Sequence, residues 1–284
     1  MPETAPTPAL PTFAATRYVQ PLREGGSLPA VVETDEGGLF VVKFRGAGQG
    51  AKVLVAELIV GLLAQRVGLP VPELALVEVS DRFGRSEPDP EIQDLLRNSH
   101  GVNVGLRYLD GAFNYDGVAA GELVDAELAA RIVWLDALVT NPDRTARNPN
   151  LLVWQRRPWL IDHGAALYAQ HDWASVDEAR TRTPFPLIER HVLLGRAGDL
   201  AAADAQLAPL LDDAAIARVL ALVPDALLVD PVSGGDFPSA AAARARYVDY
   251  LRTRLQAPRA WVEEAVRAQA RLRAAPPRRL EARR

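Results

Sequence analysis

The ten residues Asn141-Pro142-Asp143-Arg144-Thr145-Ala146-Arg147-Asn148-Pro149-Asn150 hold three of the chain's six asparagines and place an amide five positions after an acid. Asn and Asp favour turns because they bond their own backbone, so a structured loop is the plain reading. The spacing also has a chemical reading. Asp143 would accept the proton of an attacking hydroxyl, while the Asn148 amide oxygen would bind magnesium, as phosphoryl transfer requires. Leu160-Ile161-Asp162-His163-Gly164 adds an acid at the end of an apolar strand. A carboxylate there is costly unless it is paired or metal-bound. Asp162 lies fourteen residues after Asn148, across one tight hairpin. The two together offer hard oxygen ligands, which suit magnesium held on substrate phosphates. A cap, or an ion pair with Arg144 or Arg147, is the structural alternative. Gly164 follows as a residue that lets the backbone turn sharply.

A third element lies upstream. Lys43 interrupts the apolar run Leu39–Arg45, and of 32 basic residues only Lys43 and Lys52 are lysines. Such dominance of Arg matches the codon bias of a GC-rich bacterial genome. A surviving Lys then marks either chance or a place where a planar guanidinium would not serve. An ammonium is a compact point charge suited to phosphate oxygens. Glu57 follows fourteen residues later among apolar neighbours, Val55-Ala56-Glu57-Leu58, and would supply the counter-charge for an inward Lys43. An outward-pointing edge-strand Lys is the alternative. Lys52 reads as lying on a solvated helix face.

These groups need elements to hold them. Arg17–Leu22 and Leu28–Glu33 read as strands around the turn Glu24-Gly25-Gly26-Ser27, and Asp35-Glu36-Gly37-Gly38 turns the chain into Leu39–Arg45. Gly46–Gly50 breaks it again, as a helix entry or an anion-binding nest. A helix from about Ala51 to Val67 follows, stopped by Gly68 with Pro70 and Pro72 beyond. Leu74–Val79 and Val102–Tyr108 are further strands, separated by a polar insert, Ser80–His100, with a short helix. Leu109-Asp110-Gly111 begins a linker within 109–120. Leu128, Ile132, Leu135 and Leu138 share one face of a helix ending near Thr140. Leu151–Gln155 and Trp159–Asp162 form a ribbon around Arg156-Arg157-Pro158. Residues 184–274 read as helical, broken near Pro224 and at Pro231–Pro238. Trp134, Trp154 and Trp159 are read as core, and His100, His171 and His191 as structural, since their spacing suits no metal.

Bulk properties narrow the classes. At 284 residues the chain suits one large domain or two packed lobes. Cysteine is absent, which excludes disulfides, thiolate metal sites and thiol nucleophiles. The net charge of -4 gives no support to a nucleic-acid footprint. No run of about 20 apolar residues occurs, so no membrane span is expected. Met1–Thr12 carries four prolines without a basic start and apolar run, so a secretory signal is not expected and the cytoplasm is the default setting.

In the order Lys, Glu, Asp, Asn, Asp, the sequence resembles the HipA-like kinases, a bacterial branch of the protein-kinase and phosphoinositide-kinase superfamily. The resemblance rests on Val41-Val42-Lys43-Phe44, Ala56-Glu57-Leu58, Gly68-Leu69-Pro70-Val71-Pro72, Asn141-Pro142-Asp143-Arg144, Asn148-Pro149-Asn150 and Ile161-Asp162-His163-Gly164. It extends through Arg190-His191-Val192-Leu193-Leu194 and Tyr247-Val248-Asp249-Tyr250-Leu251. It implies an α+β, bilobal protein-kinase-like fold that binds ATP and magnesium between lobes. A flexible start (1–12) would precede a β-rich nucleotide-binding lobe (13–112), a helical catalytic lobe (113–274) and a basic tail (275–284).

The resemblance further implies that Lys43 contacts the phosphates, Glu57 orients it and Asp143 is the catalytic base, with Asn148 and Asp162 as metal ligands. Gly25, Gly26 and Ser27 would cover the phosphates, and Asp110 joins them among nucleotide-binding residues. The implied activity is phosphoryl transfer to a protein Ser/Thr or small-molecule hydroxyl. A nucleotide-binding pseudokinase or scaffold, or adenylyl transfer, is the alternative. No G-x-G-x-x-G precedes Lys43, and Thr145 and His163 stand where related loops often carry His and Phe. The rarity of lysine yields an immediate expectation: Lys43→Arg, at equal charge, abolishes ATP turnover. Near-normal turnover of a folded Lys43→Arg protein would show that the ammonium's compactness is immaterial.

Overall fold

The computed structural model describes residues 9–22, 28–48, 50–85, 87–229 and 236–274. The expected phosphate-covering turn Gly25-Gly26-Ser27 and the tail 275–284 lie outside the described residues. The fold is mixed α/β, with a β-rich N-terminal region and a mainly helical remainder.

Strands β1 (Thr12–Pro21), β2 (Ala30–Thr34), β3 (Gly38–Lys43), β4 (Leu74–Val79) and β5 (Gly101–Arg107) close into a barrel in the order β1-β2-β3-β5-β4. β1 starts earlier than the apolar pattern suggests. It pairs antiparallel with β2 through two register shifts and parallel with β4. Bulges of this kind bend and twist a strand, which lets one long strand close both edges. Side chains alternate across β3, so Phe40 and Val42 fill the barrel with Ala30, Val32, Ala75 and Val77. Gly105 on β5 makes room for them, because a Cβ there would sit 2.8 Å from the Val77 side chain. Lys43, one residue beyond Val42, faces the other way, toward helix α1 (Ala51–Arg66).

The sequence gives α1 apolar residues on every side, the mark of a helix buried all round. It packs on β4, β5 and the C-terminal helices. The polar insert carries α2 (Pro90–Arg97), whose first turn is set by Asp89 accepting from Glu91 N and by Pro90 at the start. Helix α3 (Ala126–Leu138) is capped by Asp125. A small sheet follows in the order β6-β7-β8, made of β6 (Phe113–Asn114), β7 (Leu151–Trp154) and β8 (Arg157–Leu160). Gln155 and Arg156 take φ of 49° and 59°, so the hairpin closes in two residues of left-handed backbone, a turn whose geometry matches the right-handed twist of the strands. The turn thus sits one residue earlier than the Arg156-Arg157-Pro158 expected. Pro158 belongs to β8, an edge strand where a missing N–H is tolerated.

Residues 164–183 carry short turns and α4 (Glu178–Thr181), announced by no helical period, and 184–199, expected to be helical, holds only a single 3-10 turn at Pro186–Arg190 before loop. Beyond lie α5 (Leu200–Leu207), α6 (Asp213–Ala221), α7 (Asp225–Leu228), α8 (Ala240–Leu255) and α9 (Ala260–Ala274). The break near Pro224 is present, and the one at Pro231–Pro238 falls partly outside the described residues. Trp134 is a core residue, edge-on to Trp261 at 5.4 Å. Trp154 and Trp159 are not: they pack on each other at 5.6 Å and stay half-buried, because the small sheet is thinly covered. No helix among the described residues is long and apolar enough to cross a membrane.

The end of α3, which leads into the Asn141–Asn150 loop, is held from α8. Buried Arg254 donates to the carbonyls of Leu138 (2.6 Å), Ala137 (2.9 Å) and Thr181 (2.9 Å), groups that a helix end leaves unpaired. Arg254→Met retains an apolar stem and removes every donor. With an unsatisfied buried group costing about 1–3 kcal/mol, the thermal midpoint is expected to drop by several degrees. A variant melting like wild type would show that water or a neighbour serves these carbonyls as well.

Candidate active site

Lys43 emerges from the last position of β3 and is nearly sealed from solvent. Its Nζ donates to Glu57 Oε2 at 2.7 Å and to Asp162 Oδ1 at 2.5 Å. Glu57 is wholly buried on α1, and its Oε2 also accepts from the His163 backbone N–H at 2.8 Å. Burial pulls the Lys43 ammonium toward neutrality, but the two carboxylates outweigh it and raise its pKa above the ordinary lysine value. Burial pushes Glu57 up, with Lys43 pulling against it. At Asp162 burial also pushes upward, yet Lys43 prevails and holds the carboxyl below the usual range. The partner of Asp162 is therefore Lys43, not Arg144 or Arg147.

Asp162 lies two residues past the end of β8 and is half-exposed. It carries the sharp turn itself, with φ of 55°, a strained left-handed conformation that Asp tolerates better than most residues. Gly164 has a different task from the turn expected of it. A Cβ there would lie 2.4 Å from the Val53 side chain, so its bareness lets this segment run against α1.

Asp143 is half-buried in its loop. Its Oδ2 accepts from Asn148 Nδ2 at 2.8 Å and Asn150 Nδ2 at 3.0 Å. Both amides thus aim one carboxylate, leaving Asp143 Oδ1 and Asn148 Oδ1 without hydrogen bonds among the described residues. The loop is tightened by Thr145 N–H, which donates to the carbonyls of Asp143 and Asn148, each at 2.9 Å. Asn148 and Asp162 flank the same open end of the β7–β8 hairpin, where Ile161 N–H bonds Asn150 O at 3.1 Å. Asp110 is exposed at the linker, and its carbonyl accepts from Trp154 Nε1 at 2.8 Å. Gly46, in the turn before α1, is committed too: its N–H donates to Ser99 Oγ at 3.1 Å. Lys52 is ion-paired with Asp236 at 2.7 Å rather than merely solvated.

Beneath the loop is a buried network that the spacing of residues does not announce. Asp136 on α3 accepts from Arg144 Nε (2.6 Å), His191 Nε2 (2.9 Å) and Asn141 Nδ2 (2.9 Å). Burial opposes its charge, but Arg144 and His191 hold its pKa far below the usual range. Arg144 also donates to Asn150 O and, at 3.3 Å, meets His163 Nδ1. A guanidinium only donates, so His163 Nδ1 accepts and its proton sits on Nε2. The signal for Asp136 was the one used for Glu57: a lone acid in an apolar helical run, Leu135-Asp136-Ala137-Leu138.

The donor set admits magnesium. Asp162 and Asn148 each keep an oxygen without a hydrogen bond among the described residues, and magnesium takes few protein oxygens besides phosphate and water. No cage of three His, Asp or Glu occurs among the described residues, so these two would share the ion with its substrate.

A family model described as HipA-like kinase matches residues 16–179, more than half of the chain. The crystal structure of a Helicobacter pylori proinflammatory kinase, CtkA, is similar with a TM-score of 0.54 at 13% identity, covering 94% of this chain and 100% of that one. At that identity the likeness is one of fold. No curated protein matches the chain.

His163 generates a pH expectation. Burial first, then Arg144 and Lys43, depress it from the ordinary 6.5 to about 3, against the weaker upward pull of Asp136 and Asp162. The unfolded chain binds this proton below 6.5 and the folded one does not, so stability is complete above 6.5 and is lost as pH falls toward 3. The slope approaches about 1.4 kcal/mol per pH unit, with buried His191 acting in the same direction. Urea unfolding at pH 7 and pH 5.5 should show the loss, and His163→Gln should flatten it. An unchanged slope in that variant would mean His163 is protonated in the fold.

Proposed function

Given that the chain belongs to the HipA-like kinase family, we propose that it is an ATP- and magnesium-dependent kinase that transfers the γ-phosphoryl group to a protein Ser/Thr or small-molecule hydroxyl. The observation that carries this reading is the convergence of Lys43, Glu57 and Asp162 from three separate elements, beside a loop that aims Asp143. In this reading residues 13–112 and 113–274 act as two lobes with ATP between them.

Each residue then has a defined task. Lys43 has three N–H donors, of which Glu57 and Asp162 take two, and the third is available to a phosphate oxygen. Glu57 holds the ammonium in place. The acceptor oxygen attacks the γ-phosphorus, forming a new O–P bond. The β–γ bridging O–P bond breaks, and its electron pair leaves on ADP. Asp143, oriented through Oδ2, takes the acceptor's proton on its other oxygen. Magnesium, held by Asp162 and Asn148, would neutralise charge on the phosphates. Gly25, Gly26, Ser27 and Asp110 complete the nucleotide contacts in this proposal, and the cytoplasm is the proposed setting.

The test is magnesium-dependent ATP consumption. Asp143→Ala is expected to slow turnover by roughly 10²–10⁴-fold while melting near wild type, because it empties no core. Asp162→Ala is expected to abolish the dependence on magnesium and to melt below wild type, because it also removes one of the two counter-charges of buried Lys43. Wild-type turnover retained in either would remove that residue from its role. The mass added to the acceptor, one phosphoryl or one adenylyl group, separates kinase from adenylyl transferase. ATP binding with no turnover toward any acceptor would leave a pseudokinase.

A further inference from the structure

A cleft of about 440 Å³ opens beside the loop that carries Asp143. Thr140 and Pro142, the segment directly before Asp143, form one wall. Phe185, Pro186 and Leu187 line it as well, with Tyr168 and Tyr250. None of Lys43, Glu57, Asp143, Asn148 or Asp162 lines it; it meets the proposed site through Pro142, the residue directly before Asp143. Its volume lies within the range of sites that seat a small ligand or a side chain or two.

The lining decides what suits it. Most of it is apolar, and the prolines 142, 184 and 186 make its walls stiff, so little ordering opposes binding. Arg254, its most buried cation, is already committed to backbone carbonyls and offers nothing to a ligand. Arg180 is half-exposed and bonded locally to Ser175, with Asp172 3.7 Å away. The lining's polar groups are few, chiefly Arg180 and the hydroxyls of Thr140, Thr183, Tyr168 and Tyr250, so a sugar or polyol would leave part of its hydroxyls unpaired, at a cost. An apolar side chain would lose only its water. Two large apolar residues already stand open here: Tyr168 is 67% exposed and Leu187 42%. Exposed aromatic and aliphatic groups around a mostly apolar cleft are what a surface that binds a polypeptide presents.

We propose that this cleft receives the acceptor, and that the acceptor is a polypeptide carrying a large apolar side chain within two residues of the phosphorylated Ser or Thr. The inference rests on the kinase reading and narrows its open choice between protein and small-molecule hydroxyls. The apolar side chain enters between Pro142 and Phe185–Leu187, which leaves the neighbouring hydroxyl near Asp143. The Ser or Thr oxygen then bonds the γ-phosphorus as the β–γ bridging bond breaks to ADP, and its proton passes to Asp143.

The experiment has two readouts on the same protein. ATP consumption with magnesium and no added acceptor tests the site itself. Phosphate incorporation into a serine-peptide array, with Leu, Phe, Ala, Asp or Arg placed on either side of the serine, tests the cleft. Leu- or Phe-flanked peptides should exceed Ala-flanked ones at least about ten-fold in kcat/KM, the scale of seating one apolar side chain. Leu187→Asp should erase that preference and leave acceptor-free ATP consumption and the melting temperature unchanged. A working ATP site whose peptide labelling ignores the flank, or whose preference survives Leu187→Asp, overturns this inference alone. Preferential labelling of glycerol or inositol over every peptide does the same. Failure to bind or consume ATP overturns the kinase reading and this inference with it.

Discussion

One buried ammonium ties the molecule together. Lys43 comes from the barrel, Glu57 from the helix laid across it, and Asp162 from the segment that follows the β7–β8 hairpin. Burying a cation is costly, and removing one partner of such a pair is worse than never having had it. The arrangement therefore holds three elements in register wherever the chain is folded. The His163 N–H extends the same point of attachment by bonding Glu57. Two carboxylates on one ammonium leave the cluster net negative, so an arriving divalent cation is favoured there and an unaccompanied anion is not.

A second anchor lies on α3. Asp136 draws in Asn141, Arg144 and His191, and Arg144 passes the constraint on to the backbone of Asn150 and the ring of His163. The loop between these residues is thus fastened from below at both ends, while Asp143 and Asn148 remain on its upper side. Four non-glycine residues at the seams of this region, Thr140, Asn150, Asp162 and Leu167, adopt left-handed backbone. Conformations like these persist only where the surroundings over-determine them, and they gather at working sites. The two buried anchors supply that over-determination.

Much of the scaffold was legible in the order of residues. Leu74–Val79 was read as a strand on the range it occupies, and α1 and α3 fell within a few residues of their expected ends. The reason is physical: strand and helix periods are local and are written in adjacent side chains. The hairpin tip was misplaced by one residue because Pro158 looked like a turn former, whereas an edge strand has no need of its N–H. Residues 164–183 escaped, and 184–199 were misread as helix, because their backbone bonds close over two or three residues and leave no true period. Trp154 and Trp159 were read as core like Trp134, yet coverage by neighbours is what buries an aromatic residue, and the small sheet supplies little of it.

The sequence by itself determined the chemistry on offer: no thiol, two lysines of which one sits in an apolar strand, acids in apolar runs at Glu57 and Asp162, and an Asp–Asn pair in a proline-bounded loop. Each follows from residue type and near-neighbour spacing. Tertiary structure alone decided which groups meet. Lys43 and Asp162 are 119 positions apart, and Asp136 and His191 are 55. No local period encodes such a contact; it exists because the barrel, α1 and α3 bury their apolar faces against one another and bring the polar groups along. Tertiary structure also decided which oxygen of each carboxylate is occupied and which stays open, since that depends on donors supplied from elsewhere in the fold.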